Sequence, residues 1–263
     1  RQMPIKATVW SRPSAVLGCR FILSRDSPGG LVFFPIGDDN SRRVRIPFVN
    51  LGLITLNGLA FVAELTAHAQ GGLVEFVHHW SVLPVDYTMH AGLGGPVPWT
   101  LVTSMFLHGG WGHLLGNMVY LGIFGDNVES ALGHGRYLAF YLLAGILGAL
   151  THVVTQPHST VPTLGASGAI SGVLAAYVLY FPHNRVLVWF WFRILAVPAL
   201  VVIGLWAVMQ LASGAGSLIA AGPGGGVAYL AHVGGFLGGL VLAYVLMPVE
   251  VRAARSEPRD PYQ

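Results

Sequence analysis

The chain has 263 residues, 54% of them hydrophobic and 10% charged, with a mean hydropathy of +0.63. Those values lie far from the soluble average and describe an integral membrane protein. The net charge of +3 signals no nucleic-acid partner in such a chain, where the distribution of charge matters more, and the lone Cys19 excludes an internal disulfide framework.

Residues 1–31 carry Arg1, Lys6, Arg12, Arg20 and Arg25 against one acid, Asp26, with no amphipathic period. They read as a non-native or disordered N-terminal extension, with the natural start expected near Val32. Residues 32–47 read as a cytoplasmic segment: a polar turn from Phe34 to Asn40, then the basic cluster Arg42, Arg43 and Arg45. The first span is predicted over Phe48 to Ala67, holding Asn57 and a Glu64 near enough to one end to reach the interface. Residues 68–98 form a long Gly/Pro-punctuated connection, and His78-His79-Trp80 beside Val82 and Leu83 predicts a segment lying in the membrane interface. Further spans are predicted over Trp111–Val128, Tyr137–Thr155, Ser167–Phe181, Val188–Leu211 (with Pro198 as a kink) and Val227–Met247. Residues 248–263 form a charged tail. The fold class is thus an all-α polytopic membrane protein whose six-helix domain occupies 48–247, each span near the length a bilayer demands.

All 14 Lys and Arg residues lie before span one, at Arg136, at Arg185 and Arg193, and at Arg252, Arg255 and Arg259. With the N-terminus cytoplasmic, alternate loops place every one of them on the cytoplasmic side, so both termini are expected there. That topology sets depth. Ser167 then opens span four just below the outer surface, and His232 lies roughly 8 Å along span six from Val227 at 1.5 Å per residue. The serine and the histidine match in depth.

Gly165-Ala166-Ser167-Gly168-Ala169-Ile170-Ser171-Gly172 admits two readings. Small residues let membrane helices approach closely. The sharper reading, which spacing alone does not favour, is that glycine on both sides of Ser167 permits a tight turn that presents a nucleophile. The second reading needs a base, and His232 sits in Ala231-His232-Val233-Gly234-Gly235, inside a span, where ionisable residues are expensive and usually functional. Facing small-residue stripes, with Gly168 on one span and Gly235 on the other, would bring the backbones close enough for imidazole to take the Ser167 proton. In span two, His113 and Asn117 are i, i+4 and share a helix face. Both can donate to a developing oxyanion, beside the Ser167 N–H; interhelical bonding is the plainer alternative. A metal site is disfavoured, because no HExxH occurs and no acid joins the group. His108 is expected to support its local loop, and Glu129 to cap or pair locally near Arg136.

These stretches resemble the rhomboid family of intramembrane serine proteases, from Phe34 to about Met247. The resemblance rests on Gly165-Ala166-Ser167-Gly168, Ala231-His232-Val233-Gly234-Gly235, the His113–Asn117 spacing and Phe124-Gly125-Asp126-Asn127-Val128-Glu129. Six spans look like the basic prokaryotic form, with a long external loop between spans one and two, in a plasma membrane. The resemblance implies Ser167 as nucleophile, His232 as base, His113 and Asn117 as oxyanion donors, and Gly165 in the turn presenting the serine. It further implies no cofactor, a transmembrane protein substrate entering sideways among membrane lipids, and a gate at an external loop and span five. Trp99-Thr100 stands where the family often has Trp-Arg.

A catalytically silent relative that binds client helices is the alternative, against which intact Ser167 and His232 argue. A transporter would usually show internal repeats and broken helices, and an aspartyl intramembrane protease needs a second intramembrane Asp beside Asp126. No acid lies in span six to support His232, so slow turnover is expected.

Overall fold

In lipid a backbone satisfies its own hydrogen bonds only as helix or closed barrel, and the long Leu/Val/Ala/Gly runs of this chain fold accordingly. The structure, a computed structural model, describes residues 33–41, 43–89, 98–219, 228–249 and 251–252. Six longer helices dominate: α1 (Phe48–Ala69), α5 (Trp111–Leu132), α6 (His134–Thr155), α7 (Ser167–Tyr180), α8 (Ala199–Ile219) and α9 (Tyr229–Leu246). Between α1 and α5 come short helices α2 (Leu73–Trp80), α3 (Pro84–Met89) and α4 (Thr100–Thr103), then a 3₁₀ turn at Ser104–Phe106. Among the described residues four helices, namely α1, α6, α8 and α9, are long and apolar enough to cross a membrane. α5 is equally long but carries Asn117, Asp126, Asn127 and Glu129, whereas α7 has only 14 residues.

The short helix is the centre. Ala169 to Tyr177 of α7 are all buried, enclosed by α5, α6 and α9. At 1.5 Å per residue α7 spans roughly 21 Å against about 33 Å for α6. Gly168 lies against Gly235 and Gly172 against Gly239, so α7 starts inside the N-terminal end of α9, which begins at Tyr229, and this is tolerated because protein rather than lipid surrounds it.

Glycine sets the spacing of α6, α7 and α9. A Cβ at Gly235 would stand 2.0 Å from the Gly168 carbonyl oxygen, and one at Gly239 would stand 2.3 Å from the Gly172 Cα. A Cβ at Gly148 would come within 2.7 Å of the Ala231 oxygen. With no side chain between them the backbones touch, as close membrane packing requires.

Several sequence expectations are corrected at the other end of α7. The fold is not all-α: β1 (Phe33–Asp38), β2 (Arg185–Phe190) and β3 (Arg193–Pro198) form an antiparallel sheet in that order. Phe34 to Asp38 is thus strand rather than polar turn, with a bulge between Pro35 and Gly37 at the edge, where proline is tolerated. The helix expected from Val188 begins only at Ala199, and Pro198 closes a strand instead of kinking a span. Arg185-Val186-Leu187-Val188-Trp189 has the two-residue period of a strand, with Val186 and Val188 buried and their neighbours exposed. Without a partner strand in view, that apolar run reads as the start of the next helix. Residues 1–31 and Val227 lie outside the described residues.

Polar groups tie this end together. Glu129, fully buried on α5, accepts the N–H groups of Val49 (3.0 Å) and Asn50 (2.7 Å), capping α1 where Pro47 provides no side-chain cap. Its other partner is His134 Nδ1 at 2.5 Å, two residues before Arg136, so it both caps and pairs locally as expected. Asp38 accepts Tyr177 Oη (2.6 Å) and Asn127 Nδ2 (2.8 Å), docking the sheet on α7 and α5, and Arg43 pairs with Asp126 at 2.6 Å. The Phe124–Glu129 motif is therefore a structural anchor.

Candidate active site

Ser167 is the first residue of α7. Gly165, two residues earlier, has φ +121° and its N–H donates to the Ser104 carbonyl at 2.8 Å. That backbone suits glycine, and space demands it as well: a Cβ there would meet His113 Cε1 at 2.7 Å and Nε2 at 2.8 Å, with Asn117 Nδ2 at 3.7 Å. The turn that delivers the serine thus lies against the paired face of α5. The first helical N–H of α7 to find a carbonyl is that of Ile170, to Ala166. The Ser167 N–H precedes it at the positive end of the helix dipole.

His232 is the fourth residue of α9 and is buried. Its Nε2 lies 2.7 Å from Ser167 Oγ, a full hydrogen bond between the two helices. The glycine contacts above make that distance possible, because Gly168 and Gly235 sit beside the serine and one turn after the histidine. The His232 Nδ1 lies 2.7 Å from Gln210 Oε1 on α8, and the Trp206 ring, one turn earlier on α8, stands 6.1 Å from the imidazole.

On α5, His113 Nδ1 accepts the Gly109 N–H at 3.4 Å, which leaves Nε2–H, beside Gly165, free to donate. Asn117 is buried, and its Nδ2 lies 3.0 Å from His108 Nε2. The buried Glu64 carboxylate in turn accepts the His108 N–H at 3.1 and 3.0 Å. Glu64 therefore faces the bundle interior rather than the interface expected for it, and it anchors the loop that carries His108. One amide N–H of Asn117 is committed to His108 and the second remains for the site. Beside Ser167 a cavity lined by Met105, Gly145, Leu164, Gly165 and Ala231 leaves about 20 Å³ open to a water's centre, room for roughly one molecule.

Ser167, His232, His113, Asn117, Gly165, Gly168 and Gly235 thus converge around one turn. Gln210 was not singled out from the sequence, and Glu64 and His108 were noted there separately but not as a pair. Each carries a readable signal, since a polar side chain within an apolar span turns toward the bundle interior. What sequence lacks is the partner's position.

The Rhomboid domain family matches residues 96–249, more than half of the chain. The chain is 42% identical over 87 residues to Rhomboid protease GluP of Bacillus subtilis, covering 33% of this chain and 17% of that protein. It is 34% identical over 155 residues to Rhomboid-like protein 11, chloroplastic, of Arabidopsis thaliana, covering 57% and 53%. Rhomboid protein 1, mitochondrial, of Saccharomyces cerevisiae is 29% identical over 161 residues, covering 59% and 44%. The chain spans about half or less of the length of these relatives. With its apolar helices and this match, it is an integral membrane protein that belongs to the rhomboid family.

Proposed function

We propose that this protein is an intramembrane serine endopeptidase that hydrolyses peptide bonds in or near the transmembrane segments of other membrane proteins. One observation carries the reading: Ser167 Oγ and His232 Nε2 lie 2.7 Å apart at the N-terminal ends of two helices. His232 Nε2 takes the hydroxyl proton as Oγ attacks the scissile carbonyl carbon. The oxyanion of the tetrahedral adduct faces the Ser167 N–H, His113 Nε2–H and the second Asn117 N–H. The imidazolium then protonates the leaving amine, and water, activated by the same imidazole, hydrolyses the acyl-enzyme. No cofactor enters this sequence.

In this reading all six longer helices span the bilayer with both termini cytoplasmic, as the Lys and Arg placement favours. Ser167 then faces the outer side of a prokaryotic plasma membrane, among lipids. The shortness of α7 sets the nucleophile below the ends of its neighbours, where a substrate helix, not a soluble chain, is within reach.

The test compares wild type with Ser167→Ala and His232→Ala on a single-span substrate in liposomes. Cleavage by wild type and loss in both variants, at equal expression, is the expected result. Cleavage that survives Ser167→Ala overturns the assignment. Failure of wild type to cleave, together with failure of a fluorophosphonate to label Ser167, points instead to a silent relative that binds client helices.

A further inference from the structure

We infer that Gln210 is a positioning residue that fixes the tautomer and orientation of His232, so that the site is a serine–histidine–glutamine triad built from three helices. This inference rests on the protease reading of Ser167 and His232. A neutral imidazole carries one N–H, and the partner of one nitrogen decides the state of the other. Gln210 Oε1, 2.7 Å from Nδ1, accepts the Nδ1–H hydrogen bond and leaves Nε2 as the lone pair facing the Ser167 hydroxyl at 2.7 Å. In the opposite tautomer two lone pairs would meet at Nδ1, and Nε2–H could take no proton from serine.

The contact is held from both sides. Trp206 and Gln210 are i, i+4 on α8 and present one face to His232, while the ring of Tyr229 stands edge-on 6.4 Å away. An amide oxygen also remains an acceptor once the imidazole is charged, so its dipole opposes the cost of the imidazolium in a site where α9 carries no acid. The bond runs between helices rather than along one, which makes the alignment of the base depend on where α8 sits.

Gln210→Leu keeps the approximate volume and removes the acceptor; Gln210→Glu keeps an acceptor at the same reach. On the single-span substrate in liposomes, Gln210→Leu is expected to lower kcat roughly 10- to 100-fold, as loss of one hydrogen bond to a charged group does, with KM unchanged. Gln210→Glu is expected to stay within about threefold of wild type. The ¹⁵N shifts of His232, assigned by difference against His232→Ala, are expected to report a single Nδ1-protonated tautomer in wild type and a mixture in Gln210→Leu. Equal kcat for Gln210→Leu and wild type overturns the role, and so does a mixed tautomer in wild type. Equal impairment of both variants with a shared fall in thermal midpoint assigns Gln210 to packing alone and also overturns it. Wild type that neither cleaves nor takes the fluorophosphonate defeats the protease reading, whereas the tautomer measurement still decides the role of Gln210.

Discussion

Replacing Gly235 by alanine puts a methyl carbon 2.0 Å from the Gly168 carbonyl oxygen, where ordinary contact begins at 3.4 Å. The obstacle is backbone, so no side chain can swing aside. α7 and α9 must part by on the order of 1 Å, the scale on which overpacking costs about 1–3 kcal/mol. Gly168 adjoins Ser167 and Gly235 lies one turn after His232, so the shift falls on the 2.7 Å bond between them. That bond stretches to nearly 4 Å, beyond hydrogen-bonding range. A misplacement of about 1 Å in a reacting pair costs roughly 10²-fold in rate. Gly235→Ala is therefore expected to lose about 100-fold in kcat/KM on a liposome substrate and to label slowly with fluorophosphonate, while remaining folded. Gly58→Ala on α1, where a Cβ meets nothing within 4 Å, serves as control and is expected to match wild type. A Gly235→Ala protein that cleaves within about threefold of wild type refutes the claim that glycine contact sets the geometry of the pair.

Gly165→Ala is expected to abolish cleavage and labelling, because it combines a φ of +121° with a Cβ 2.7 Å from His113; labelling at the wild-type rate would sink that reasoning. Glu129→Ala removes the acceptor for two α1 N–H groups and His134, and is expected to cost about 3 kcal/mol in unfolding experiments. Activity per folded molecule should hold, since Glu129 is roughly 24 Å along α5 from His113 at 1.5 Å per residue. Burial pushes the Asp38 carboxyl up to about 6 from 3.8, and the Tyr177 and Asn127 hydrogen bonds only partly oppose this. As pH rises between those values the unfolded chain gives up a proton that the fold keeps. The stabilisation from Asp38 is thus complete below about pH 4 and lost as pH rises through 6. Asp38→Asn should flatten the thermal midpoint across that window, and an unchanged slope would assign it to other groups.

Membrane insertion, the helical runs and the pairing in depth of Ser167 with His232 were legible in the sequence. Each follows from a local quantity: hydropathy, the placement of basic residues, and a rise of 1.5 Å per residue. His113 and Asn117 were legible too, because i, i+4 spacing defines a shared face on a helix whatever surrounds it. The strands were not. Val186 and Val188 alternate correctly, but a strand is defined by the backbone it pairs with, and Phe34 lies 155 residues before Trp189 in that ladder. Apolar periodicity alone could not separate that hairpin from the helix after it. The partners of Gln210 and Glu64 were hidden for a related reason. A polar side chain within a span announces that it has a partner, but only the packing of α8 on α9, and of the His108 loop on α1, names which one. The residues of the site came from chemistry written along the chain. The contact between nucleophile and base came from glycine faces that let α7 and α9 close to hydrogen-bonding distance, a property of a pair of helices and not of any one segment.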